Sequence, residues 1–378
     1  MKKITWLPLS ILLATCTSKN TVAPTCDTQG TALSHHYDSG KAATASGVEY
    51  HISLQVDQTP VTAIADTGSA NLILQSGTLQ PSGSPLGKFQ ISYGSGTDYL
   101  TAYQGSVSLD CLAAGVPNFQ YGLVQDGSMN NVSILGLAFR NKIESVPDNE
   151  ALYATFMTQL AQDNSGISNE FSLQLCGYNN PNSTIYFGGL PTASSALRFE
   201  YTPIKEQSWY VIGANQIGLS GSDGGIVSSF GDLSTYGASV ILDSGTTLNL
   251  LPSDIVNQIV SYLAQNYPNA ATWPQIKNQL SKPVPIDCPS ASELEKLPNI
   301  SIALENVTLS ISPQTYFKKI TEGQCFFGFS IANAVDPNNP IILGQVTMEN
   351  YLIRFIRTAG DNGPLGAIGF ASNAGCNP

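Results

Sequence analysis

A diverged internal repeat constrains this chain more than any other feature. An apolar run leads into Asp66-Thr67-Gly68-Ser69-Ala70 and then Asn71-Leu72-Ile73-Leu74; a second leads into Asp243-Ser244-Gly245-Thr246-Thr247 and then Leu248-Asn249-Leu250-Leu251. Each half carries a later echo, Ile134-Leu135-Gly136-Leu137 and Ile342-Leu343-Gly344-Gln345. Two halves with the same order of elements imply two related lobes facing each other, with one Asp-[Thr/Ser]-Gly loop from each at a shared cleft. The tripeptide alone is a weak signal, and the chain contains its own control. Tyr37-Asp38-Ser39-Gly40 has neither an apolar strand before it nor an echo after it, so Asp38 reads as a turn residue. At Asp66 and Asp243 an apolar strand instead breaks into a tight loop. The strand buries the backbone around the carboxylate, and the glycine that follows turns the chain and leaves its N–H free to bond. The hydroxyls of Ser69 and Thr246 are placed to reach the outer carboxylate oxygen.

The rest of the pattern is mostly β. Val48 to Val56 alternates apolar and polar residues without error, the mark of a half-buried strand, and puts His51 on the polar face as a solvated surface residue. Short Val-, Ile-, Tyr- and Phe-rich runs then alternate with Gly, Asn, Ser and Pro clusters to the carboxyl end. Helices are expected over Glu150–Gln162 and over Asp254–Tyr267, the latter capped by Ser253 and ended by Pro268. Residues 1–15 read as a signal peptide, 16–46 as a tether, 47–192 as an N-terminal lobe and 193–378 as a C-terminal lobe.

Composition removes most other chemistries. Only 11% of the 378 residues are charged, and 27 acidic residues against 16 basic ones leave a net charge of -11. No positive footprint for nucleic acid exists. The three histidines, His35, His36 and His51, have no zinc-protease spacing, so any Ser-His or Cys-His catalysis would have to run through one of them. Carboxylates are the natural workers. The low charge also leaves little self-repulsion in acid, so the fold is expected to persist at pH 4.

Lys2, Lys3 and the apolar run to Ala14 have the shape of an export signal, too short to span a bilayer as a helix. It ends Leu13-Ala14-Thr15-Cys16, which resembles a bacterial lipoprotein cleavage box. Two readings stand: a lipid anchor on Cys16 attached to the cell envelope, or ordinary cleavage and secretion. Seven cysteines are present; lipidation of Cys16 would leave six, which allow 15 connectivities. Cys111 and Cys176 also read as buried free thiols in strand-like surroundings.

Taken in order, these motifs resemble the pepsin-family aspartic endopeptidases over about residues 47–378. The two Asp loops match the family's catalytic loops, the two Ile-Leu-Gly segments match the strands behind them, and Ile91-Ser92-Tyr93-Gly94-Ser95-Gly96-Thr97 matches the flap hairpin. The resemblance implies an all-β, two-lobed fold with a cleft, peptide or protein substrates, no cofactor or metal, and a monomer. It implies catalysis by Asp66 and Asp243, which share one proton and activate a water, at acidic pH and with hydrophobic residues around the cut. Substrate contacts are implied for Tyr93, Gly94, Ser95, Gly68, Ser69, Gly245, Thr246 and Thr247. A disulfide between Cys288 and Cys325 is implied too, leaving three pairings among Cys26, Cys111, Cys176 and Cys376. Tyr121 aligns loosely with a pocket-lining aromatic, with core packing as the other reading; Trp209 and Tyr210 read as core.

The chain departs from the pattern at four places. Ile73 stands where animal pepsins usually carry a Trp that holds the flap tyrosine. Gln75–Leu86 is short and lacks their small disulfide loop. Gln345 replaces a frequent Asp, read as a change in supporting contacts. The stretch before Val48 has only Lys19 and Lys41 as basic residues, where family proenzymes carry a longer basic plug. The rival functions are a non-catalytic binding protein on the same scaffold, which loss of either Asp or of Tyr93 would favour, and a carboxylate-pair glycosidase, which the paired loops and flap disfavour.

Overall fold

The computed structural model describes residues 30–37, 47–93, 96–109, 115–127, 132–139, 155–221, 223–236, 240–280, 282–332, 341–357 and 365–376. The sequence repeat returns in it as a repeat of strand pairings. In the first half, Thr59–Asp66 runs antiparallel to Val48–Val56 and parallel to Ser133–Gly136, with Asp66 opposite Gly136. In the second half, Val240–Leu242 runs antiparallel to Tyr210–Ile212 and parallel to Ile341–Leu343. The strand after each Asp loop, Leu72–Leu74 or Asn249–Leu251, lies against the same Ile-Leu-Gly strand from its other side. Each Ile-Leu-Gly echo is thus wedged between the strand entering an Asp loop and the strand leaving it. Strands held on both edges and both faces need continuous apolar side chains, which is why these segments do not alternate.

The halves share one continuous antiparallel sheet. Gly30–Tyr37 pairs with Thr184–Phe187, which pairs with Glu170–Gln174; Glu170–Gln174 pairs across to Tyr351–Ile356, then Ala367–Ser372, then Glu200–Gln207. At the junction Phe171 and Phe355 stack with centroids 4.6 Å apart. The tether expected over 16–46 does not hold for Gly30–Tyr37. This segment is a strand whose residues 30–32 pair with Thr184–Phe187 and whose residues 33–37 pair with Val48–Val56. Its burial follows the strand period, Thr31 and Leu33 in, Ala32 and Ser34 out, but Leu33 is the one large aliphatic residue in it, which leaves little hydropathy signal. Asp38 lies outside the described residues.

The long helix spans Ser253–Asn266 and buries Ile255, Val256, Ile259, Val260 and Leu263. Ser253 is its first residue rather than its cap, a position taken by Pro252. The other expected helix is seen as Phe156–Asp163; residues 150–154 lie outside the described residues. Cys288 and Cys325 form the expected disulfide. Cys176 is bonded to Cys376, 200 residues away, which corrects the free-thiol reading and ties the chain's end to its first half. Cys16, Cys26 and Cys111 lie outside the described residues.

All three histidines sit on the ladder between Gly30–Tyr37 and Val48–Val56. His51 is not solvated: it is 15% exposed, within 2.8 Å of Glu49 and stacked on His36 at 5.1 Å. His35 faces a buried cluster drawn from both halves, in which Glu349 accepts from Lys318 and from the Tyr50 hydroxyl, and that hydroxyl accepts from the Gly177 N–H at 2.8 Å. Burial first, then Lys318, lowers the His35 imidazole to about 4 against a partial opposing pull from Glu349; His36 adds to the lowering. A histidine that resists protonation only when folded contributes stability that is complete above about pH 6.5 and lost as pH falls toward 4. The persistence expected at pH 4 therefore has one local weak point, worth at most about 3 kcal/mol. We expect His35→Phe to raise Tm at pH 4.5 relative to the parent and to change it little at pH 7. An equal shift at both pH values in thermal unfolding would contradict this.

Candidate active site

The two Asp loops meet, and their hydrogen bonds are duplicates. Asp66 Oδ1 accepts from the Gly68 N–H at 2.8 Å and its Oδ2 from the Ser69 hydroxyl at 2.6 Å. Asp243 Oδ1 accepts from the Gly245 N–H at 2.8 Å and its Oδ2 from the Thr246 hydroxyl at 2.6 Å. The donors foreseen from the motif are therefore the donors found. Burial is matched as well, at 8% exposure for Asp66 and 9% for Asp243.

The glycines set how close the carboxylates come. A Cβ on Gly68 would lie 2.5 Å from the Asp243 carboxyl, and one on Gly245 would lie 2.4 Å from Asp66 Oδ1. Any side chain at either position would push the opposite carboxylate away. The pair is thus assembled by loops that leave an atom's width for each other. Burial, and next the Asp243 carboxylate opposite, push the Asp66 carboxyl well above the usual carboxylate range, only partly offset by the Ser69 and Gly68 donors. Two carboxylates this close cannot both ionise cheaply.

Sequence reasoning missed what fixes the loops together. The Thr67 hydroxyl donates to the Leu242 carbonyl at 2.9 Å and accepts from the Ser244 N–H at 2.9 Å. The Ser244 hydroxyl donates to the Ala65 carbonyl at 2.6 Å and accepts from the Thr67 N–H at 3.0 Å. Each hydroxyl spans the residues just before and just after the opposite aspartate. The signal was present as the middle residue of the tripeptide, a hydroxyl in both copies, which a plain turn does not require.

The remaining expected residues divide. Gly68, Ser69, Gly245 and Thr246 stand at the pair. Thr247 does not: it is fully buried, and its hydroxyl accepts from the Val48 N–H at 2.8 Å and donates to the Val48 carbonyl at 3.0 Å, which corrects its expected role as a substrate contact. Gln345 is a supporting residue, fully buried, with Nε2 donating to the Val48 and Ser244 carbonyls, each at 2.9 Å. Gly87–Tyr93 and Gly96–Leu109 form the expected hairpin, with Tyr93 opposite Gly96. Gly94, Ser95 and the Tyr93 side chain lie outside what is described. Ile73 packs with Phe89, Ile91 and Leu100 in a small core beneath this hairpin. Tyr121 is 1% exposed and its ring lies 6.1 Å from Tyr103, so the packing reading holds and the pocket reading does not. Tyr210 is core, donating from its hydroxyl to the Leu137 carbonyl at 2.6 Å, and Trp209 packs against the core's edge.

The model of the eukaryotic aspartyl protease family matches residues 73–363, most of the chain. The chain belongs to this family. The aspartyl protease match includes Asp243 but opens after Asp66, so the equivalence of the first loop rests on the duplicated geometry. Among curated proteins the protease is 27% identical to cathepsin E of Aquarana catesbeiana over 86% of this chain and 79% of that one. It is 25% identical to human gastricsin over 76% and 67%, and 24% identical to canine pepsin A over 82% and 79%. Fold and enzyme class are accordingly those of a pepsin-like aspartic endopeptidase, acting on peptides.

Thr67→Val and Ser244→Ala each strip the opposite loop of a buried partner and are expected to cost about 1–3 kcal/mol. Because the two hydroxyls belong to one lattice, the double variant should lose clearly less than the sum. Denaturant unfolding of the four proteins checks this; strict additivity would mean that the hydroxyls act independently.

Proposed function

We propose that Asp66 and Asp243 are the catalytic dyad of this endopeptidase, that a water held between them is the nucleophile, and that the protease works at acidic pH on sites flanked by hydrophobic residues. The observation that carries the reading is the mutual approach of the two buried carboxylates, each against the other loop's glycine. With one proton between them, the ionised carboxylate takes a proton from the water as it attacks the scissile carbonyl. The protonated one donates to the developing oxyanion; the other, now carrying the water's proton, gives it to the leaving amine, and the first takes its proton back as the diol collapses to the product carboxyl. Gly68, Ser69, Gly245 and Thr246 hold the carboxylates while charge moves, and the hairpin ending in Tyr93, Gly94 and Ser95 covers the bound peptide. A proton retained above the ordinary carboxylate range keeps the singly ionised state populated upward in pH, so activity should extend from acid toward neutrality rather than end near pH 4.

The test is cleavage of an unfolded protein by the purified enzyme from about pH 3 to pH 7. Asp66→Asn and Asp243→Asn should each lower kcat about a thousandfold or more while leaving the fold intact. An inactive parent, or variants that cleave as the parent does, would sink the proposal.

We propose export on the leader's basic start and apolar run and on the two disulfides, which persist in oxidising compartments. Attachment through Cys16 rests on the leader alone. Mass measurement of the mature amino terminus separates a lipidated Cys16 from a plain cleaved end, and an uncleaved Met1 would contradict both.

A further inference from the structure

Among the described residues two cations are buried, Lys318 at 1% exposure and Arg357 at 4%. Lys318 is paired with Glu349. Arg357 is held differently. Its Nε donates to Asn169 Oδ1 at 3.1 Å, its Nη1 meets the Leu137 and Ala138 carbonyls and the Tyr210 hydroxyl at 2.8, 3.0 and 2.7 Å, and its Nη2 meets the Thr155 and Thr158 hydroxyls at 2.9 and 3.2 Å. The face of the Phe139 ring lies 4.4 Å from the guanidinium carbon. A guanidinium has five N–H donors, and these acceptors engage every nitrogen while supplying no formal negative charge. The one titratable group among them is Tyr210, whose ionisation burial suppresses. Among the described residues no carboxylate pairs with Arg357; a positive charge buried in this way is costly, and its field reaches further than that of a paired one.

The segment it grips is the one behind the first Asp loop. The Leu137 N–H donates to the Asp66 carbonyl at 2.7 Å, and the Ala138 N–H donates to the Ser69 carbonyl at 2.8 Å. The Leu137 carbonyl that Arg357 polarises belongs to the same peptide unit as that Ala138 N–H, and the Ser69 hydroxyl holds Asp66 Oδ2. Behind the second loop the residue that matches Leu137 in the repeat is Gln345, whose neutral amide donates directly to the Ser244 carbonyl. The first loop is therefore backed by a segment that a cation grips, and the second by a segment that supplies its own amide.

We propose that Arg357 is a positioning residue for the dyad. It fixes the segment behind Asp66, and it supplies the buried positive charge that offsets the single negative charge the two carboxylates carry in the working state. This inference rests on the dyad reading above. Its consequence is a displaced titration: with the cation present the singly ionised dyad forms at lower pH, which sets the acidic limb of the activity profile.

The test compares kcat/KM against pH for the parent and three variants. Thr155→Asp places a carboxylate against Arg357 while the grip on Leu137 and Ala138 stays intact; Thr155 is the cap of helix Phe156–Asp163, a position that favours Asp equally well. It should move the acidic limb upward by about 0.5–1 pH unit without lowering Tm. Arg357→Met should move the limb the same way and lower Tm. Arg357→Lys, which keeps the charge and loses the fork, should keep the parent's limb despite a lower Tm. An unmoved limb in Thr155→Asp, or a limb in Arg357→Lys displaced as far as in Arg357→Met, would overturn the electrostatic role and leave only packing. The same displacement is read without turnover in the 13C titration of the labelled Asp66 and Asp243 carboxyls of parent and Thr155→Asp. An inactive parent would thus fail the endopeptidase reading while the titration still decides the role of Arg357.

Discussion

The hydroxyls of Thr67 and Ser244 cross between the halves, each donating to the carbonyl before the opposite aspartate and accepting from the N–H after it. The close approach of the two carboxylates depends on that lattice. Two carboxylates brought together out of water repel and lose solvation, and left to themselves the loops would separate to relieve both costs. The lattice is buried, and every partner of the two hydroxyls belongs to the main chain next to an aspartate, so separating the loops leaves several polar groups unsatisfied at once. The unfavourable proximity is thereby made the cheaper state.

The wider fold extends the same constraint. The continuous sheet from Gly30–Tyr37 to Glu200–Gln207 joins the two halves through Glu170–Gln174 and Tyr351–Ile356, so the halves cannot slide without breaking a ladder. Val48 is pinned to the second loop by Thr247 and Gln345, and the Tyr50–Glu349–Lys318 cluster adds a buried polar contact between the halves. Rigidity behind the site suits a reaction in which protons move between fixed oxygens, because groups already in place need no reorganisation as charge develops.

Much of this was legible in the sequence. The repeat located both loops, both backing strands and the carboxylate donors, since each is local and requires a particular residue type at a fixed offset. The Cys288–Cys325 bond followed from resemblance. What could not be read depends on which distant segments meet. Gly30–Tyr37 carries few large apolar residues, and its strand character comes from two neighbours, one of them far along the chain. His51 keeps its polar-face position, yet the stacked His36 and the carboxylate of Glu49 remove it from solvent. Thr247 sits in the motif but turns its hydroxyl to Val48, a partner 199 residues away. Tyr121 and Cys176 were ambiguous for the same reason, and tertiary contacts decided both.

The central claim is that loops from two halves of one chain hold a single proton between two buried carboxylates. Neutron diffraction from deuterated crystals near pH 5 tests it most directly, because deuterons on carboxyl oxygens are then seen rather than inferred. One deuteron is predicted on the Asp66/Asp243 pair, with heavy water bound to both carboxyls and Gly68, Ser69, Gly245 and Thr246 donating as described. Two fully ionised, separately solvated carboxylates, or a deuteron on each, would contradict it.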